Sequence, residues 1–108
     1  MTTTQAITYR VIIFISGPLD VIEQTCRSSC LAIGLCVTVT PTRFIYAGGE
    51  ETGAEIGLLN YPRFPADPAE INYKARHLAN LLLLATYQRS VLVVTPTTTE
   101  WITKDESK

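Results

Sequence analysis

Thr8-Tyr9-Arg10-Val11-Ile12-Ile13-Phe14-Ile15-Ser16 is β-branched and aromatic nearly throughout, and Gly17-Pro18 ends it. Tyr9, Val11, Ile13 and Ile15 point to one side of this strand, and Ile12 and Phe14 to the other. A strand apolar on both sides reads as a central strand buried on both faces. The rest of the chain is therefore expected to build a sheet around it.

Downstream the period changes. Leu19, Ile22, Cys26, Cys30 and Ile33 recur at three and four over residues 18–33, which predicts an amphipathic helix stopped by Gly34. Residues 35–46 read as a second strand. Pro41 marks it as an edge strand or a bulge. The glycine-rich turn at residues 47–53 predicts an antiparallel hairpin with a third strand from Ala54 to Asn60 or Tyr61. Asp67-Pro68-Ala69-Glu70 supplies an N-cap, a first-turn proline and an acid at the third position. The helix that follows carries a core stripe of Ile71, Ala75, Leu78, Leu82 and Ala85. Leu81, Leu83 and Leu84 widen its apolar surface. Residues 90–95 form a fourth strand, and 97–103, with Trp101, add at most a short edge strand.

The order strand, helix, strand, strand, helix, strand predicts an α+β domain, the ferredoxin-like βαββαβ sandwich. It has a four-stranded antiparallel sheet with both helices on one face. One such domain spans residues 1–108, with frayed tails at about 1–6 and 104–108. The helices leave one apolar sheet face uncovered, which predicts a homo-oligomer packed sheet to sheet. The alternative is that the segment around Trp101 folds back over that face.

Composition narrows the function. The chain has 108 residues, 46% hydrophobic, with nine basic and ten acidic side chains and a net charge of −1. No basic stripe suits duplex nucleic acid. No apolar run reaches the roughly 18 residues that span a bilayer, and residues 1–5 lack the positive start of a signal peptide. Cys26, Cys30 and Cys36 are an odd set, read as small buried hydrophobes in a reduced, cytoplasmic protein rather than a metal or redox centre. No cofactor, metal ligand set or catalytic group is expected. His77 is the sole histidine, and no Gly-x-Ser-x-Gly elbow or P-loop occurs.

The residues Leu31-Ala32-Ile33-Gly34-Leu35-Cys36-Val37-Thr38-Val39, then Phe44-Ile45-Tyr46, Gly49-Glu50 and Glu55-Ile56-Gly57-Leu58-Leu59, resemble the CutA family. That resemblance implies a trimeric, ferredoxin-like protein related in shape to the PII proteins, with pockets between subunits. The chain departs from the family at Thr86-Tyr87-Gln88-Arg89, where CutA proteins carry His-Pro-Tyr-Glu. The match therefore bears on fold rather than activity.

The binding-type residues cluster in Asn60-Tyr61-Pro62-Arg63-Phe64-Pro65. Two prolines stiffen this loop around an arginine and two aromatics. Tyr61, Arg63, Phe64, Arg89, Tyr73 and Lys74, with the amides of Gly48 and Gly49, are the expected contacts for a small anionic, nucleotide-like ligand. The expected function is non-catalytic binding in inter-subunit pockets. A protein-binding inhibitor or regulator, docking through Leu81 and Leu84 or the 61–65 loop, is the alternative. A metal-dependent hydrolase on Glu50, Glu51 and His77 ranks third.

Overall fold

The computed structural model describes residues 1–104. It is an α+β chain in the order β1 (Arg10–Ser16), α1 (Leu19–Ile33), β2 (Val37–Tyr46), β3 (Gly49–Leu59), α2 (Pro68–Ala85), β4 (Ser90–Val94) and β5 (Thr99–Thr103). The sheet has five strands in the order β2-β3-β1-β4-β5, with every neighbouring pair antiparallel. The expected four-stranded sheet is thus corrected to five. Thr95 organises the added strand: its hydroxyl accepts N–H bonds from Thr97 and Thr98, closing the turn that returns the chain alongside β4. Trp101 is therefore a sheet residue, paired with Leu92 and 70% exposed, and does not cover the open face.

β1 is the central strand, as its two-sided apolarity demands. Val11, Ile13 and Ile15 join Ile56, Val93, Ile22, Leu78 and Leu82 in one fully buried core under both helices. Ile12 and Phe14 face the other way and are only half-buried. β2 is an edge strand. Its ladder to β3 runs through Pro41 without a bulge, and a proline there blunts the free edge.

The hairpin is longer than the sequence predicts. Residues 49–53 were expected in the turn, yet Gly49 already pairs with Tyr46, so the turn is only Ala47-Gly48. Gly48 at φ 90° makes that tight reversal possible. The hairpin consequently runs beyond the end of β1, whose last partner on β3 is Gly53. Arg43 and Glu50 bridge it at 3.3 Å.

Both helices end as their sequences dictate. Gly34 at φ 71° lets the Gly34 and Leu35 amides both bond the Cys30 carbonyl. Asp67 caps α2 by accepting from the Glu70 amide at 3.0 Å. On the buried face of α1, Ser29 is 2% exposed, and its hydroxyl has no hydrogen-bond partner among the described residues. An unmade buried hydrogen bond costs about 1–3 kcal/mol. Ser29→Ala is therefore expected to raise the melting temperature. A fall would mean that the hydroxyl has a partner in solution.

Arg76 grips Glu100 with two bonds of 2.8 and 2.7 Å, tying α2 to β5. That grip holds the Glu100 carboxyl below its ordinary 4.5. A carboxyl depressed in the folded state adds stability above its unfolded value and loses it as pH falls through the folded one. Arg76→Ala should flatten the acid side of a stability–pH curve. Because the pair is half exposed, the loss at neutral pH should stay below about 1 kcal/mol.

Candidate functional site

The residues singled out in the sequence do not form one site within the chain. Gly49 and Asn60 bracket β3, so the hairpin tip and the 61–65 loop lie at opposite ends of a strand roughly 33 Å long. Arg89 precedes β4 at the Ser16 end, and its carbonyl accepts the Lys104 amide at 3.0 Å. Gly48, Gly49 and Arg89 are thus separated from Tyr61, Arg63, Phe64, Tyr73 and Lys74. The last five share the other end, but only three of them meet. Tyr61 and Phe64 pair at 5.5 Å, and with Lys74, Cys36 and Gly34 they line a small hollow of about 60 Å³. Arg63 is exposed, and Tyr73 is spent on a stack with His77 at 6.4 Å. Lys74 bonds the Gly34 carbonyl at 3.3 Å and Glu70 at 3.1 Å. Asn60 anchors this end by holding the Ile7 carbonyl and the Ala66 amide.

The hydrolase trio is also dispersed. Glu50 lies on the hairpin and His77 on α2. Among the described residues no group of three or more His, Cys, Asp or Glu is placed to hold a metal ion. The two residues of the leucine shoulder, Leu81 and Leu84, are 37% and 63% exposed, while their neighbour Leu83 is buried at 4%. The expected frayed tail at 104–108 begins with a residue tied to Arg89, and 105–108 lie outside the described residues.

The open sheet face assembles a different set. Strand alternation brings Phe14 from β1, Phe44 from β2, Leu92 from β4 and Trp101 from β5 to one surface. With Ser16, Ser90, Tyr46 and Glu51 they line a hollow of about 390 Å³. Phe14 and Phe44 meet edge to face at 6.4 Å. The Tyr46 hydroxyl donates to Glu51 at 3.3 Å, and partial burial followed by the Glu51 charge pushes that phenol up. Glu55 shares this face, paired with Phe14 and with Thr40, and is half-buried.

This is the chemistry of a cationic aromatic guest. Exposed ring faces suit a base or a cation, and a carboxylate at the edge fixes a positive charge. A second hollow of about 450 Å³ lies between α1 and β2. It is lined by Cys26, Cys30, Leu31, Val37 and Val39, with the charged Glu23 and Arg27 beside them. Lacking any aromatic, it is the weaker candidate despite its size. In the sequence Glu51 stands out only as part of an acidic pair for a metal-dependent hydrolase, and Trp101 only as an edge-strand residue or a cover. Phe14 and Phe44 drew no functional attention, although strand alternation puts Phe14 opposite Ile13, away from the helices.

No family model matches this sequence, and no curated protein sequence matches it. Two solved structures do match in fold. A phage SAM lyase in complex with S-methyl-5′-thioadenosine superposes with a TM-score of 0.79 at 15% identity, covering 100% of this chain and 98% of the other. A phage SAM lyase in the apo state superposes with a TM-score of 0.71, also at 15% identity, covering 99% and 100%. Neither is a CutA or PII protein. The expectation of a non-catalytic binder is corrected by this comparison, and its inhibitor-module alternative goes with it. Both of these matched structures are of a lyase, and each superposes with this chain nearly end to end.

Proposed function

We propose that this chain is an enzyme that binds S-adenosylmethionine on its open sheet face and splits it as a lyase. The observation that carries this reading is the end-to-end fold match to a lyase holding S-methyl-5′-thioadenosine. The aromatic hollow supports it independently. Adenine suits the rings of Phe14, Phe44 and Trp101, while the sulfonium and ammonium charges suit Glu51 or Glu55.

The reaction needs little from the protein. The sulfonium is already a good leaving group: the bond from sulfur to the four-carbon side chain breaks, and its electron pair stays on sulfur as neutral S-methyl-5′-thioadenosine. As that bond breaks, either the fragment's own carboxylate oxygen bonds the same carbon and closes a ring, or a base removes a proton from the adjacent carbon and a double bond forms. Glu51 and Glu55 serve either route, holding the ammonium in the first and accepting the proton in the second. Excluding water around the rings strengthens these electrostatic contacts.

We infer that the fold is a ferredoxin-like plait extended by β5, and that its apolar open face brings copies together around the substrate hollow rather than across it. Half-buried Ile12, Phe14, Leu92 and Val94, beside exposed Trp101, share this face, and apolar surface of this kind marks contact sites. Light scattering should give a multiple of the 11.9 kDa chain mass. A clean monomer would remove this part of the reading while leaving the substrate assignment standing.

Ligand binding is tested by thermal shift. S-adenosylmethionine and S-methyl-5′-thioadenosine should both raise the melting temperature, by about 2.7 kcal/mol of stability at a hundredfold excess over Kd. Adenosine has neither the sulfonium of the one nor the methylthio group of the other, and at the same concentration should do so less. Equal silence from all three would remove the substrate assignment.

A further inference from the structure

The open face carries its side chains in cross-strand rows, and one row is unlike its neighbours. Thr40, Glu55, Phe14, Leu92 and Trp101 stand side by side from β2 to β5. Two residues further along, the register gives Thr42, Gly53, Ser16, Ser90 and Thr103. Ser16 and Ser90 fall opposite each other when the Phe14–Leu92 pairing is continued by two residues. Beyond them comes Phe44 beside Glu51 on the hairpin. A band of glycine and hydroxyls thus runs between two bands of large side chains. The Phe44 ring lies over Gly53, 2.8 Å from where a β-carbon would stand. What remains of the band inside the aromatic hollow is Ser16 and Ser90.

Both serines are half-buried, and neither hydroxyl has a hydrogen-bond partner among the described residues. Residues directly opposite on antiparallel strands hold their β-carbons about 4.5–5.5 Å apart. Two hydroxyls at that spacing reach the same edge of one planar guest. Side chains stand roughly perpendicular to a sheet, so a base slotted among Phe14, Phe44 and Trp101 presents an edge to the floor. The edge of adenine that carries the 6-amino group offers a donor beside a ring-nitrogen acceptor. A serine hydroxyl both donates and accepts, so a pair of them satisfies that edge.

We propose that Ser16 and Ser90 are the residues that read the base: one hydroxyl accepts from the adenine 6-amino group, and the other donates to a ring nitrogen flanking it. This rests on the reading of the open face as the S-adenosylmethionine site, and adds its base specificity. The aromatic rings hold any purine by its faces, and the serines supply the preference for adenine.

The test is calorimetric binding of S-methyl-5′-thioadenosine and of its analogue with hydrogen in place of the 6-amino group. The parent should bind the adenine compound about fivefold more tightly, the worth of one net hydrogen bond. In the double variant Ser16→Ala, Ser90→Ala, shown to be folded by its melting curve, that ratio should fall to about one while both affinities weaken. Thr103→Ala removes a hydroxyl from the same row but outside the hollow, and should leave both affinities unchanged. A purely structural role for the serines would weaken the two ligands alike and keep the ratio, which overturns the proposal. So does a parent that binds both compounds equally, a result that needs no variant and leaves the lyase reading standing. A parent that binds neither compound overturns the lyase site and the base assignment together.

Discussion

Gly53→Ala is expected to destabilise the chain by about 3 kcal/mol, the upper end of what overpacking costs. A β-carbon at this position would stand 2.2 Å from the Ile15 carbonyl oxygen, and 2.8 Å from both the Phe44 ring and the Ser16 Cα. Two of those three neighbours are backbone of the central strand, so neither can rotate away. β1 and β3 would have to separate where Gly53 pairs with Ser16, the last rung before the hairpin runs on alone. A melting temperature lower by roughly 10–20 °C would follow for a domain of this size. Gly57→Ala is the control. Its β-carbon would meet the Thr38 hydroxyl at 2.6 Å, but that is an exposed side-chain tip free to turn. It should cost less than about 1 kcal/mol. If Gly53→Ala proves as mild as Gly57→Ala, the close approach of β1 and Phe44 to Gly53 is wrong. The floor of the proposed site then loses its geometry.

The second large effect belongs to the substrate. Trp101 is 70% exposed on an edge strand and contributes little to the core. Trp101→Ala should therefore fold normally, within about 0.5 kcal/mol of the parent. Its indole is nonetheless the most accessible ring of the hollow, beside Leu92 and Phe14. Loss of a stacking ring costs about 1–3 kcal/mol, so the Kd for S-adenosylmethionine should rise roughly 5- to 150-fold. Trp101→Phe should recover part of that, because a smaller π-face remains. An unchanged Kd in Trp101→Ala, measured by calorimetry, would move the binding site off the open face.

Much of the fold is legible in the sequence because its signals are local. The two-sided apolar strand, the Asp67-Pro68 helix start and the Gly34 stop each act within a few residues, and each stands where the pattern puts it. The hairpin length was misread because Glu50, Glu51 and Thr52 have turn-like composition. Only a tight reversal at Gly48 and cross-strand pairing with residues 43–45 make them a strand. β5 was underweighted for a similar reason, since its threonines gain strand character by pairing with β4.

The site was harder to read. Phe14, Phe44, Leu92 and Trp101 come from four strands spread over most of the chain, so no spacing connects them. Composition instead drew attention to the 61–65 loop. There Tyr61 and Phe64 largely pack on each other, and Asn60 fastens the neighbouring backbone. The oddity of that hexapeptide is mainly the oddity of a built connection, with Cys36 and Lys74 as its neighbours.

The most direct test is turnover. The purified chain would be incubated with S-adenosylmethionine and the mixture followed by liquid chromatography and mass spectrometry. S-methyl-5′-thioadenosine should appear in step with substrate loss, and one four-carbon product should match it in amount. The mass of that product separates closure by its own carboxylate from proton loss. Folded protein that leaves S-adenosylmethionine intact, at a rate no different from buffer, would contradict the lyase assignment.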